Sequence, residues 1–143
     1  MENIKKIAKN VRKQCELYAF SVYAYQFDFY KQKDLQGMCL TASFALNKAL
    51  TLNNIKSQVI QGFFNGQSHV WIEIDNKIID ITATQFNINR KIYILDKNDL
   101  DAIMYQRTHI IKNIKDINCS EWHKRQRPTH RIINQILFTK KEL

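Results

Sequence analysis

Two tight-turn signals, Asn65-Gly66 and Asp75-Asn76, constrain this chain more than any other feature. Between them His69-Val70-Trp71-Ile72-Glu73-Ile74 alternates along a strand. Residues 57–64 and 77–83 read as its neighbours in an antiparallel meander. If Asp75-Asn76 is the whole loop, Ile74 lies opposite Lys77, Ile72 opposite Ile79 and Trp71 opposite Asp80. Cross-strand partners share a face. Val70, Ile72, Ile74, Ile79 and Ile81 then form the core face. His69, Trp71, Glu73, Asp80 and Thr82 form the other, non-core face. His69 and Asp80 become diagonal neighbours within reach of a hydrogen bond. One more loop residue would flip a strand and separate them.

The stretch before the meander carries a thiol. Asp34-Leu35-Gln36-Gly37 reads as a turn, and a helix is predicted from about residue 38 to 52, stopping at Asn53-Asn54. Cys39, Ala42, Leu46, Ala49 and Leu50 share one face. Cys39 falls in the first turn, where free backbone N–H groups and the helix dipole favour a thiolate. Gly37 permits close approach of the backbone, and the first-turn N–H groups could serve an oxyanion hole. Taken singly, a cysteine on an apolar helix stripe reads as core, and a histidine on a strand reads as packing or surface. The order Cys39, His69, Asp80, with the helix start and the shared strand face, instead fits a nucleophile, its base and its orienting acid.

Gly37-Met38-Cys39 with small residues after it, the His69-Val70-Trp71-Ile72-Glu73 strand and the Ile78-Ile79-Asp80-Ile81-Thr82 strand resemble the papain and transglutaminase superfamily, in particular its small bacterial members. The resemblance covers residues 35–86. It implies an α+β fold, with a catalytic helix packed on a small antiparallel β-sheet and flanking N- and C-terminal helices. It implies Cys39 as nucleophile, His69 as the base that later protonates the leaving amine, and Asp80 as the group that fixes the imidazole tautomer. An oxyanion glutamine belongs to the pattern, and Gln36 and Gln85 are its candidates here; Trp71 could shield the site from water. The implied activity is that of a cysteine protease or deamidase acting through a thioester, with transglutaminase-like transfer to an amine as a variant. The implied partner is a protein or peptide substrate, and no cofactor is required.

The rest of the chain reads as support. Its 143 residues suit one domain, with a helical N-terminal part over 3–31, a catalytic core over 35–95 and a basic helical part over 97–143. Ile4, Ile7, Val11, Cys15, Tyr18, Val22, Tyr25 and Phe29 give the N-terminal part an apolar stripe, on which Cys15 reads as a small hydrophobe. A strand over 91–95, a short helix over 96–104 and a last helix capped by Thr129 are expected, with 109–117 open between strand and helix. Cys15, Cys39 and Cys119 are odd in number and far apart, which points to reduced thiols. Cys119, His123 and His130 supply too few ligands for a structural zinc, which needs four.

The net charge of +9 gathers at the two ends, in Lys5, Lys6, Lys9, Arg12 and Lys13 and in Lys124, Arg125, Arg127, Arg131, Lys140 and Lys141. This leaves a second reading: a basic module that binds nucleic acid or an acidic protein, with the cysteine idle. No signal peptide and no membrane span of roughly 18 apolar residues is read. A cytoplasmic protein is expected, and delivery as an effector or toxin is compatible with it.

Overall fold

The turn residues take the backbone angles that their identities favour. Asn65 and Gly66 lie at φ +47° and +82°, the paired positive angles of a tight hairpin. Asp75 lies at φ +50° in the next loop. These turns are seen in a computed structural model that describes residues 1–19, 35, 37–113 and 129–135.

The described chain is α+β. Helix α1 spans Glu2–Ala19 and α2 spans Cys39–Leu52, and residues 129–135 are helical. Strands β1 (Gln58–Phe64), β2 (Gln67–Ile74), β3 (Lys77–Asp80), β4 (Tyr93–Asp96) and β5 (Tyr105–Ile111) form one antiparallel sheet in the order β4-β3-β2-β1-β5. The β2–β3 register pairs Ile74 with Lys77 and Ile72 with Ile79, as the two-residue loop requires. Among the described residues, no helix is long and apolar enough to cross a membrane.

Both faces of the sheet are buried. On one, Val59, Val70, Ile72, Ile79, Ile81 and Ile111 meet Val11 and Cys15 of α1, Leu40, Leu46 and Leu50 of α2, and Ile132. Each fully buried leucine or isoleucine here contributes about 1.5–3 kcal/mol. On the other, Ile60, Phe64, Trp71, Ile78, Leu95, Ala102 and Tyr105 form a second core. The face that alternation marks as non-core is therefore dry. Segments with no strong periodicity cover it: the 3-10 turns Ala83–Phe86 and Leu100–Met104, and the start of β5.

Several boundaries differ from the sequence expectation. The strand expected over 77–83 ends at Asp80, because the Asp80 carboxylate accepts the Thr82 backbone N–H at 2.9 Å and bends the chain out of the ladder. The strand expected over 91–95 is shifted to Tyr93–Asp96. The helix expected over 96–104 is a 3-10 turn, Leu100–Met104, and Asp99 at its start accepts the Asp101 N–H at 3.0 Å. The segment left open over 109–117 begins earlier, as β5, and pairs with β1. The sheet thus continues past residue 95, and the C-terminal part is not wholly helical. Residues 20–34 of the expected N-terminal helix lie outside the described residues.

Gly62 shows how closely the second face is packed. It stands opposite His69 on β2, where the β1–β5 register shifts. A Cβ here would lie 2.1 Å from the Gln106 carbonyl oxygen and 2.8 Å from the Trp71 ring. Gly62→Ala is expected to lower stability by about 1–3 kcal/mol through overpacking. Urea unfolding checks this, and a midpoint equal to that of the wild type would refute it.

Candidate active site

The start of α2 is built to present Cys39. Gly37 takes φ +82°, and the Met38 N–H reaches the Leu35 carbonyl at 3.1 Å, so the chain turns sharply into the helix. Met38 stands at the N-cap and makes no side-chain cap. A methionine there brings no side-chain oxygen of its own to the first-turn N–H groups. One turn further on, Ser43 donates to the Val70 carbonyl at 3.2 Å, and Asn47 donates to the Ser57 hydroxyl at 2.8 Å. These bonds lay α2 across β2 and the entry to β1. Cys39, on the face of Ser43 but one turn earlier, comes to the end of β2 where His69 sits.

His69 and Asp80 form a buried pair. His69 Nε2 lies 2.7 Å from Asp80 Oδ2, and each residue is 1% exposed. The carboxylate is further satisfied. Tyr105 Oη donates to Oδ2 at 2.7 Å, and the Thr82 N–H and hydroxyl donate to Oδ1 at 2.9 and 3.3 Å. The other ring nitrogen of His69, Nδ1, is buried and lacks a conventional hydrogen bond. The Cys39 sulfur lies close enough to the ring to be a hydrogen-bond partner and to favour its protonated form.

Charge follows from this arrangement. Burial disfavours the imidazolium, but the Asp80 charge, its hydrogen bond and the Cys39 sulfur outweigh that and lift the His69 pKa to about 10. Burial pushes the Asp80 carboxyl up, and the His69 charge with the His69, Thr82 and Tyr105 hydrogen bonds brings it below its ordinary value. Burial first, and then the Asp80 charge, raise the Tyr105 phenol, so it remains a protonated donor. The His69 and Asp80 shifts both favour an imidazolium paired with a carboxylate, with the Cys39 sulfur beside the ring.

Aromatic rings fix the imidazole in place. Phe86 meets it edge-on at 4.7 Å between centroids and stacks on Phe64 at 4.6 Å. Tyr105 packs on Trp71 at 5.1 Å.

Sequence reasoning named Cys39, His69 and Asp80, and the fold brings the three together. Trp71 is fully buried, and its indole N–H donates to Glu73 at 3.1 Å; it builds the second core. The Gln85 amide nitrogen donates to the Thr82 carbonyl and hydroxyl at 3.1 and 3.2 Å, so it braces the loop that holds Asp80. Gln36 lies outside the described residues, as do Cys119 and His123, while His130 is exposed. Among the described residues, no group of three or more side chains could hold a metal ion. Cys15 is fully buried, and burial pushes its thiol up to about 12.

Two contributors were missed. Tyr105 is separated from Asp80 by 25 residues, and no local pattern marks it. Arg12 was grouped with the N-terminal basic cluster, but it is 4% exposed and donates to the Ile81 carbonyl at 2.8 Å and to the Thr84 hydroxyl at 2.9 Å. Its place at a helical step between Val11 and Cys15 on the apolar stripe was the available signal. Part of the N-terminal basicity is thus a tie from α1 to the residue after Asp80.

Comparison of the chain with protein-family models, curated proteins and solved structures found no match.

Proposed function

We propose that this protein is a thiol enzyme that cleaves a peptide bond or a glutamine side-chain amide through a Cys39 thioester. The observation that carries this reading is the buried His69–Asp80 bond at 2.7 Å, with the remaining ring nitrogen left to the Cys39 sulfur. A structural histidine in a core needs no thiol at a helix start beside it. A nucleophile with a positioned base does.

In the proposed cycle the Cys39 thiolate attacks the amide carbon, forming the C–S bond while the carbonyl oxygen takes the negative charge. Backbone N–H groups in the first turn of α2 stabilise that oxygen. The tetrahedral adduct collapses, the C–N bond breaks, and the His69 imidazolium gives its Nδ1 proton to the leaving amine or ammonia. Neutral His69 then takes a proton from water as water attacks the thioester. The C–S bond breaks, the acid is released and the thiolate–imidazolium pair returns. Asp80 stays ionised throughout and holds Nε2–H. Hydrolysis is favoured over transfer to an amine because water needs no second binding site.

The test is alkylation by iodoacetamide across pH, with the labelled residue identified by mass spectrometry. At about pH 6 an ordinary thiol is mostly protonated, so Cys39 is expected to label about 10²-fold faster than a free cysteine. Native Cys15 should stay unlabelled at that pH. Labelling of Cys39 no faster than free cysteine would remove the enzyme reading. Binding to nucleic acid or an acidic partner that survives Cys39→Ala and weakens with salt would then become the working description.

A further inference from the structure

The His69–Asp80 pair has a third member. Oδ2 of Asp80 receives two donors at the same distance, His69 Nε2 and Tyr105 Oη, both at 2.7 Å. Tyr105 arrives on β5, at the far edge of the sheet from β3, and its ring is wedged against Phe64 and Trp71. A tyrosine that only filled this space would need no hydroxyl. The hydroxyl instead lands on the oxygen that faces the imidazole.

The geometry points to Tyr105 as a positioning residue that keeps Asp80 ionised and aimed at His69, and so sets the lowest pH at which Cys39 remains a thiolate. The inference rests on the proposed thiol chemistry for its effect on Cys39. The step is one of proton occupancy alone. Without the phenol, Oδ2 has one donor fewer, and the carboxyl takes up a proton at higher pH. Protonated Asp80 no longer compensates the imidazolium. His69 then loses its proton, the sulfur loses its counter-charge and Cys39 becomes a neutral thiol. The titratable and charged groups around Asp80 are few. His69 faces it from β2 and Tyr105 from β5, Tyr93 stands opposite it on β4, Cys39 lies beyond the imidazole, and Arg12 of α1 holds the carbonyl of the next residue. None of the others donates to Oδ2.

The experiment is Tyr105→Phe in the full chain, with the acid limb of Cys39 alkylation recorded beside a ¹³C NMR titration of the Asp80 carboxyl. Both are expected to move up by about one pH unit, since a hydrogen bond to a charged group is worth about that shift. Ile78→Val, which loosens the same core and leaves every donor to Asp80 in place, should lower the melting temperature and leave both curves in place. 3-Fluorotyrosine at position 105 keeps the hydroxyl and makes it a stronger donor, so it should move both curves down. Coincidence of the Tyr105→Phe curves with wild type would overturn the inference. If Tyr105→Phe does not fold, a fluorotyrosine protein whose curves match wild type overturns it equally. If wild-type Cys39 labels as an ordinary thiol, the proposed function fails while the Asp80 titration still decides the role of Tyr105.

Discussion

In His69→Gln, alkylation of Cys39 at about pH 6 is expected to fall about 10²-fold, to the rate of an ordinary thiol. Glutamine is chosen because its amide can still donate to Asp80 Oδ2 and fills much of the imidazole's space. The change therefore removes the positive charge and the proton carrier more than the packing. The buried Asp80 carboxylate then faces the sulfur with no cation between them, which disfavours the thiolate beyond its value in water. Only above the variant thiol's own raised pKa should the two proteins converge, because hydroxide then deprotonates the thiol without help from His69. A His69→Gln protein that labels at the wild-type rate at low pH would mean that the helix start alone activates Cys39, and the imidazole would lose its place in the mechanism.

Asp80→Ala is expected to cost about 3–5 kcal/mol of stability, the usual result of deleting one partner of a buried charge pair. It leaves His69 Nε2, Tyr105 Oη and the Thr82 N–H without an acceptor in a dry cluster. Asp80→Asn should cost less, because its amide can accept from Thr82 and donate to Nε2. It does so by reversing the imidazole tautomer, so the low-pH reactivity of Cys39 should be lost while the fold survives. The pH dependence has a defined sign. The carboxyl of Asp80 is held below its ordinary 3.8, so its stabilisation is present above that value and is lost as pH falls through the lower folded value. His69 is raised from 6.5 to about 10, so its stabilisation is complete below 6.5 and is lost as pH rises through about 10. The stability gap between wild type and Asp80→Asn should therefore be widest near pH 5 and shrink towards pH 10. Urea unfolding across that range checks it, and a gap independent of pH would show that the pair is not ionised.

The legible parts of this site were those written at short range. The loop at Asp75-Asn76 fixes the register, and with it the meeting of His69 and Asp80 across 11 residues. The apolar run after Gly37 fixes the helix that begins at Cys39. Tyr105 was not legible because β5 is exposed from Gln106 to Ile110 and buried only at its ends, so its pattern lacks the alternation of a half-buried strand. Alternation also assigns one buried face to each strand, and this sheet has two. The second is roofed by 3-10 turns that leave no periodic trace. The role of Arg12 was not legible because a charge count carries no information on burial, and a guanidinium can sit in a core when a backbone carbonyl receives it.

The strand order has a consequence for how the protein is made. A ribosome delivers the thiol, the imidazole and the carboxylate by residue 80, but β5 emerges later and takes its seat beside β1, three places from β3 in the sheet. Until then the carboxylate lacks the phenol of Tyr105, and one side of its surroundings stays open to water. Cys39, His69 and Asp80 are therefore synthesised before the strand that completes their surroundings. On the proposed reading, Cys39 reaches its full low-pH reactivity only once β5 has taken its place beside β1.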